Sequence, residues 1–153
     1  MKIEDQVITI AQGKQLQELG ITAVAHFAHV LICPDPIGND WYYDIIDRHH
    51  PMADKCEMIC MAYTVAELGM MLPKEIDHTF NEHSSYYIMM GNSETDNGHK
   101  PTIWYEDNDL YPPDEIMEMR YISGDTEAEA RAAMLIHLLE NKLITADEIN
   151  ARL

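Results

Sequence analysis

The stretch SYYIMMGNSETDNGHKPTIWYED, residues 85–107, decides how the chain is read. Two runs of aromatic, β-branched and methionine residues, SYYIMMG and TIWYED, flank the polar segment NSETDNGHK, the pattern of two strands joined by a turn. A period of two sends Tyr86, Ile88 and Met90 to one side of the first strand and Tyr87 and Met89 to the other. Both sides are therefore apolar, which predicts a strand that is central or covered at an interface.

Residues 24–33 are rich in Val, Phe and Ile, PDPIGND (34–40) reads as a turn, and WYYDIID (41–47) returns, giving another hairpin. Residues 58–63 predict a third strand in this half, and residues 121–123 an edge strand. Around the strands, Thr followed three residues later by Glu or Gln marks four helix starts, because the hydroxyl accepts from an orphan N–H while the longer side chain reaches back. Thr9 with Gln12 opens a helix that Gly20 ends. Thr64 with Glu67 opens TVAELGMMLP, stapled by Tyr63 and Leu68 and stopped by Pro73. Thr126 with Glu129 opens the longest, TEAEARAAMLIHLLEN, with Ala128, Ala132, Leu135 and Leu139 on one stripe, Met134 and Leu138 beside it, and acids in the first turn. Asn141 is the expected left-handed residue at its end. Thr145 with Glu148 starts a last short helix, with Ile144 and Ile149 at staple spacing.

Helices before, between and after hairpins predict an α+β fold: an antiparallel sheet built from two β-hairpins, helices packed against it, and a C-terminal helical hairpin. At 153 residues and 46% hydrophobic composition, one domain spanning 1–153 is expected. No apolar run approaches the roughly 18–20 residues needed to span a bilayer, and MKIEDQVITIAQ carries acids where a secretory leader is apolar, so a cytoplasmic protein is expected. Three cysteines without a CxxC pair fit reduced thiols better than a disulfide framework.

The net charge of −17 disfavours direct contact with a phosphate backbone, which needs Lys and Arg to displace counterions. The acidity reads either as solubility or as a surface for a basic partner. Phosphate-binding patterns and the GxSxG elbow are absent from the sequence, so no cofactor and no common hydrolase chemistry is implied.

The metal candidate is RHHPMADKCEMIC, in which His49, His50, Cys56 and Cys60 supply imidazole and thiolate at a spacing unlike that of zinc fingers. The alternative is two buried thiols beside a polar loop. His26 and His29 with Cys33 raise the same question on a strand, where 26 and 29 point to opposite faces. Glu106, Asp107, Asp109, Asp114 and Glu115 offer oxygen ligands without the glycine and spacing of a calcium loop. Eleven methionines, with Met58, Met61, Met70, Met71 and Met89, Met90, Met117, Met119 in groups, read as core filling or as an adaptable contact surface. Trp41, Tyr42, Tyr43, Trp104 and Tyr105 are the interaction candidates, since Trp and Tyr are enriched in protein contacts.

YTVAELGMMLP (63–73) and TEAEARAAMLIHLLENKLI (126–144) resemble small uncharacterised acidic proteins of phages and prophages of gut anaerobic bacteria, in which TVAELGxMLP and EADARAxMLIxLLEN helices recur. The matches cover about a fifth of the chain. Both are helix starts followed by packing residues, so the resemblance implies a setting, with a host or phage protein as partner, and transfers no catalytic role. The leading expectation is a noncatalytic phage or prophage accessory protein acting through protein–protein contact. A metal- or small-molecule-binding protein or enzyme is one alternative. Another is an acidic nucleic-acid mimic displaying the carboxylates of residues 106–129 to a DNA-binding host protein. Homodimerisation through an aromatic hairpin face is a further expectation.

Overall fold

A computed structural model describes residues 2–32, 41–53, 56–77, 85–95, 98–107 and 121–152. The fold is α+β. Helices α1 (Ile10–Glu18), α2 (Val65–Met71), α3 (Glu127–Glu140) and α4 (Ala146–Asn150) accompany strands β1 (Phe27–Ile32), β2 (Tyr42–Asp47), β3 (Glu57–Ala62), β4 (Glu75–Asp77), β5 (Ser85–Thr95), β6 (Gly98–Asp107) and β7 (Ile122–Ser123). All strand pairings are antiparallel. The two expected hairpins are present, each in its own sheet: three strands in the order β2-β1-β3, and four in the order β4-β5-β6-β7. β7 is the edge strand expected from residues 121–123. The turn segment 34–40 lies outside the described residues.

In the long hairpin, pairing runs from Tyr86↔Asp107 to Thr95↔Gly98, so the polar stretch expected to be a turn is mostly strand. β5 is central in its sheet, as its composition predicts, and its two sides have different fates. Tyr86 is buried and Ile88 packs against the core on one side, where Met90 lies beyond the core, exposed beside Arg131, while Tyr87 and Met89 are exposed on the other. Tyr105 and Ile103 of β6 share the buried side. α3 covers this side, burying Ala128, Ala132, Met134, Leu135, Leu138 and Leu139.

Each helix begins as its sequence predicts: Thr9, Thr64, Thr126 and Thr145 accept from the backbone N–H three residues on. Three of the four capping boxes close. At α3 the Glu129 carboxylate instead accepts from the Asp125 backbone N–H at 3.0 Å. Glu67 uses one carboxylate oxygen on Thr64 and the other on the backbone N–H of His26, tying α2 to the chain entering β1. Asn150 of α4 accepts from the N–H groups of Thr22 and Ala23 and donates to the Gly20 carbonyl, clamping the loop after α1.

Two helix ends close with paired bonds back to the last turn. After α1, Gly20 (φ +92°) donates to Gln17 and Ile21 to Leu16. After α3, Lys142 donates to Leu139 and Leu143 to Leu138. The left-handed residue is thus Lys142 (φ +57°), one place beyond the expected Asn141, which at φ −87° keeps its backbone near helical and donates its side-chain amide to the His137 carbonyl.

α1 lies against β3 with no room to spare. An ideal Cβ at Gly13 would stand 2.7 Å from the Cys60 Sγ and 2.8 Å from the Met61 carbonyl oxygen. Gly13→Ala is expected to lower stability by about 1–3 kcal/mol through overpacking, measured by denaturant unfolding. Cys60→Ala will not rescue it, because the Met61 carbonyl remains. Lys142→Gly should raise stability by about 0.5–1 kcal/mol, since glycine takes the left-handed conformation without a Cβ penalty.

Candidate functional site

His49 and His50 lie in the turn after β2, where the Asp47 carboxylate accepts from the His49 backbone N–H at 2.7 Å and stands 3.3 Å from the His26 Nε2. The His49 backbone N–H holds the Asp47 carboxyl below its usual range, and the imidazoles of His26, His49 and His50 act in the same direction. Cys56 donates to the Met52 carbonyl. Cys60 is buried under α1, its thiol directed at the Ile10 carbonyl and its pKa raised by burial. The structure therefore does not assemble His49, His50, Cys56 and Cys60: two are in a surface turn, one thiol closes that turn, and the other faces the core side of β3. No group of three or more His, Cys, Asp or Glu among the described residues is arranged to hold a metal ion.

His26 precedes β1, while His29 is buried within it and paired with Cys60 on β3. The His29 Nε2 lies 2.7 Å from the Ile8 carbonyl, linking β1 to the segment before α1. Burial lowers its pKa and the bond to Ile8 partly offsets this. Cys33 lies outside the described residues, as do Asp109, Asp114, Glu115, Met117 and Met119.

The aromatic candidates separate cleanly. Tyr105 is a core residue, not a surface one: it is buried, and its hydroxyl donates to the Pro73 carbonyl at 2.6 Å. It belongs to the core cluster, and burial raises its pKa well above the usual tyrosine range. Tyr63 is likewise buried, its hydroxyl on the Ala23 carbonyl and its pKa pushed up to about 12, first by burial and then by Glu67. Trp104, one residue before Tyr105, takes the opposite face of the sheet.

On that outer face, cross-strand pairing sets three rows. Glu75, Tyr87 and Glu106 are successive partners across β4, β5 and β6; Met89 pairs with Trp104; Gly91 pairs with Thr102, which pairs with Ser123. Tyr121, next to β7, completes the middle row, its ring centroid 5.3 Å from that of Trp104 and tilted by 38°. The Trp104 ring leans over Gly91, where an added Cβ would come within 3.1 Å of it. Thr102 donates to Ser93 at 2.7 Å and lies 2.8 Å from the Ser123 hydroxyl, so the third row is a hydroxyl cluster tying β5, β6 and β7 together. Tyr87, Met89 and Tyr121 are exposed, the last at 69%.

No family model, curated protein or solved structure matches this chain.

Trp41, Tyr42 and Tyr43 are also exposed, at the start of edge strand β2 of the smaller sheet. In the same sheet a cavity of about 240 Å³ is lined by Ala28, Val30, Ile46, Arg48, Ala53 and Met58. Arg48 is committed locally, one guanidinium N–H donating to the Ala25 carbonyl at 3.3 Å. Of the methionines, Met71 and Met134 are core, Met61 packs against it, and Met58, Met70, Met89 and Met90 are exposed. The Tyr121 contribution to the outer row was not singled out from sequence, because its place beside Trp104 depends on the register of β7.

Because burial lowers the His29 pKa from its usual 6.5, the unfolded chain binds the proton more readily than the folded one. The stability due to neutral His29 is complete above pH 6.5 and falls as pH drops toward its folded-state value. Thermal unfolding from pH 7.5 to 5 should show a smaller loss of Tm for His29→Gln, which keeps a donor for Ile8, than for the parent protein.

Proposed function

We propose that this is a noncatalytic accessory protein that works by holding a basic protein partner, with the outer face of the four-stranded sheet as its contact surface. The observation that carries the reading is the row Met89, Trp104, Tyr121: three large apolar side chains adjacent on one face, with Met89 and Tyr121 exposed. Contact surfaces are enriched in Trp, Tyr and Met side chains, and the residues that dominate binding cluster near their centre. A chain of net charge −17 favours a partner of opposite sign by steering its approach. In line with the resemblance of residues 63–73 and 126–144 to phage and prophage proteins, we take the partner to be a host or phage protein and the setting to be the bacterial cytoplasm. Among the described residues no helix is long and apolar enough to cross a membrane.

The nucleic-acid mimic finds less support. Among the described carboxylates in residues 106–129, Asp125 pairs with Lys100, Glu127 with Arg131, and Glu129 caps the Asp125 N–H, while Glu106 is exposed and forms no ion pair with another described residue. The charges of Asp125, Glu127 and Glu129 are used locally, which leaves fewer of them to stand in for phosphates.

Capture from lysate of a bacterial host by tagged parent protein and by Met89→Ser/Tyr121→Ser tests the proposal. A protein held at about one copy per chain by the parent should be lost from the variant, an effect of at least about tenfold in Kd for two central contacts, while Tyr43→Ser on the other sheet retains it. Equal capture by the parent and Met89→Ser/Tyr121→Ser, or no stoichiometric capture by either, would overturn it.

A further inference from the structure

The row beside Met89, Trp104 and Tyr121 suggests what the partner brings. Glu75, Tyr87 and Glu106 are direct cross-strand neighbours on β4, β5 and β6, so their side chains leave the sheet on the same outer face. With adjacent strands about 4.8 Å apart, the two glutamates flank Tyr87 at roughly 10 Å from each other. Both glutamates and the tyrosine are exposed. Neither glutamate forms an ion pair with another described residue. At the far end of the same face, Lys100 is held by Asp125 and does not pair with either glutamate.

Two carboxylates on either side of an aromatic ring, next to a second aromatic pair, match one cation better than others. A guanidinium is planar, stacks on aromatic faces, is weakly hydrated, and offers its N–H groups in the ring plane where flanking carboxylates can accept them. An ammonium is a compact, strongly hydrated charge that gains less from a flat platform. The apolar row alongside suits the aliphatic stem of an arginine and the backbone near it.

We propose that this face is a docking site for an arginine-bearing basic segment of a protein partner. The guanidinium lies over Tyr87 between Glu75 and Glu106, and the Met89, Trp104 and Tyr121 row receives the arginine stem and its apolar neighbours. The inference rests on the contact reading above and adds the chemistry of the partner.

The chain has two tryptophans, so Trp41→Phe leaves Trp104 as the sole indole reporter. A capped peptide alternating arginine and alanine, titrated at physiological salt, should change the Trp104 emission saturably, and the matching lysine peptide should bind at least tenfold more weakly. Glu75→Gln/Glu106→Gln should weaken the arginine peptide tenfold or more. Glu4→Gln/Glu18→Gln, which removes the same charge from exposed positions elsewhere, should leave it within twofold. No saturable change, equal affinity for the lysine peptide, or equal weakening by the two glutamine pairs would overturn arginine recognition, the last by reducing it to general acidity. The two readings fail separately: a captured protein lost from Met89→Ser/Tyr121→Ser but kept by Glu75→Gln/Glu106→Gln leaves the contact surface standing and removes the arginine.

Discussion

The register of β5 against β6 is the constraint on which the structure depends. A strand alternates its side chains with a period of two, so a slip of one residue would exchange every inward side chain for an outward one. In the register observed, Ile88 faces Tyr105 and Met89 faces Trp104. The first pair lies on the side covered by α3, together with Tyr86 and Ile103, and the second lies outside. α3 makes this choice decisive, because its Ala, Leu and Met stripe is buried only if the inward row supplies a matching apolar surface. Core and contact face are two consequences of one pairing.

The smaller sheet is joined to this core by bonds from buried or capping groups. His29 reaches the Ile8 carbonyl, Tyr63 the Ala23 carbonyl, and Glu67 caps α2 while holding the N–H of His26. In each of these bonds a side chain satisfies a backbone group at a chain crossing, which secondary structure does not provide there. Gly13 lets α1 approach β3 to the distance at which a methyl group would meet the Met61 carbonyl. The histidines and cysteines that looked like metal ligands are absorbed into this work: Cys60 fills the α1 contact, Cys56 closes a turn, and His49 donates its backbone N–H to Asp47.

Most of the fold was legible because it is written in local rules. The threonine-led helix starts depend on residues three apart, and the hairpins on alternation within a few residues. Four features were hidden, three of them because they depend on distant parts of the chain. The separation into two sheets is set by which strands find each other, and composition does not encode that. The move of the left-handed residue from Asn141 to Lys142 depends on where the last bonds of α3 close. At the candidate site, Trp104 and Tyr105 are adjacent and chemically alike, and only the face that α3 covers decides that one is core and the other surface. Tyr121 joins Trp104 only through the pairing of β6 with β7.

Methionine methyl groups sample both sides of this arrangement, which makes them the most direct probe of it. With 13C-methyl methionine labelling and a soluble paramagnetic agent, the Met89 signal should be strongly attenuated, comparably to those of exposed Met58 and Met70, while Met71 and Met134 stay protected. Protection of Met89 equal to that of Met71 would mean that β5 and β6 pair in another register or that this face is closed, and would contradict the assignment of the outer row as a contact surface.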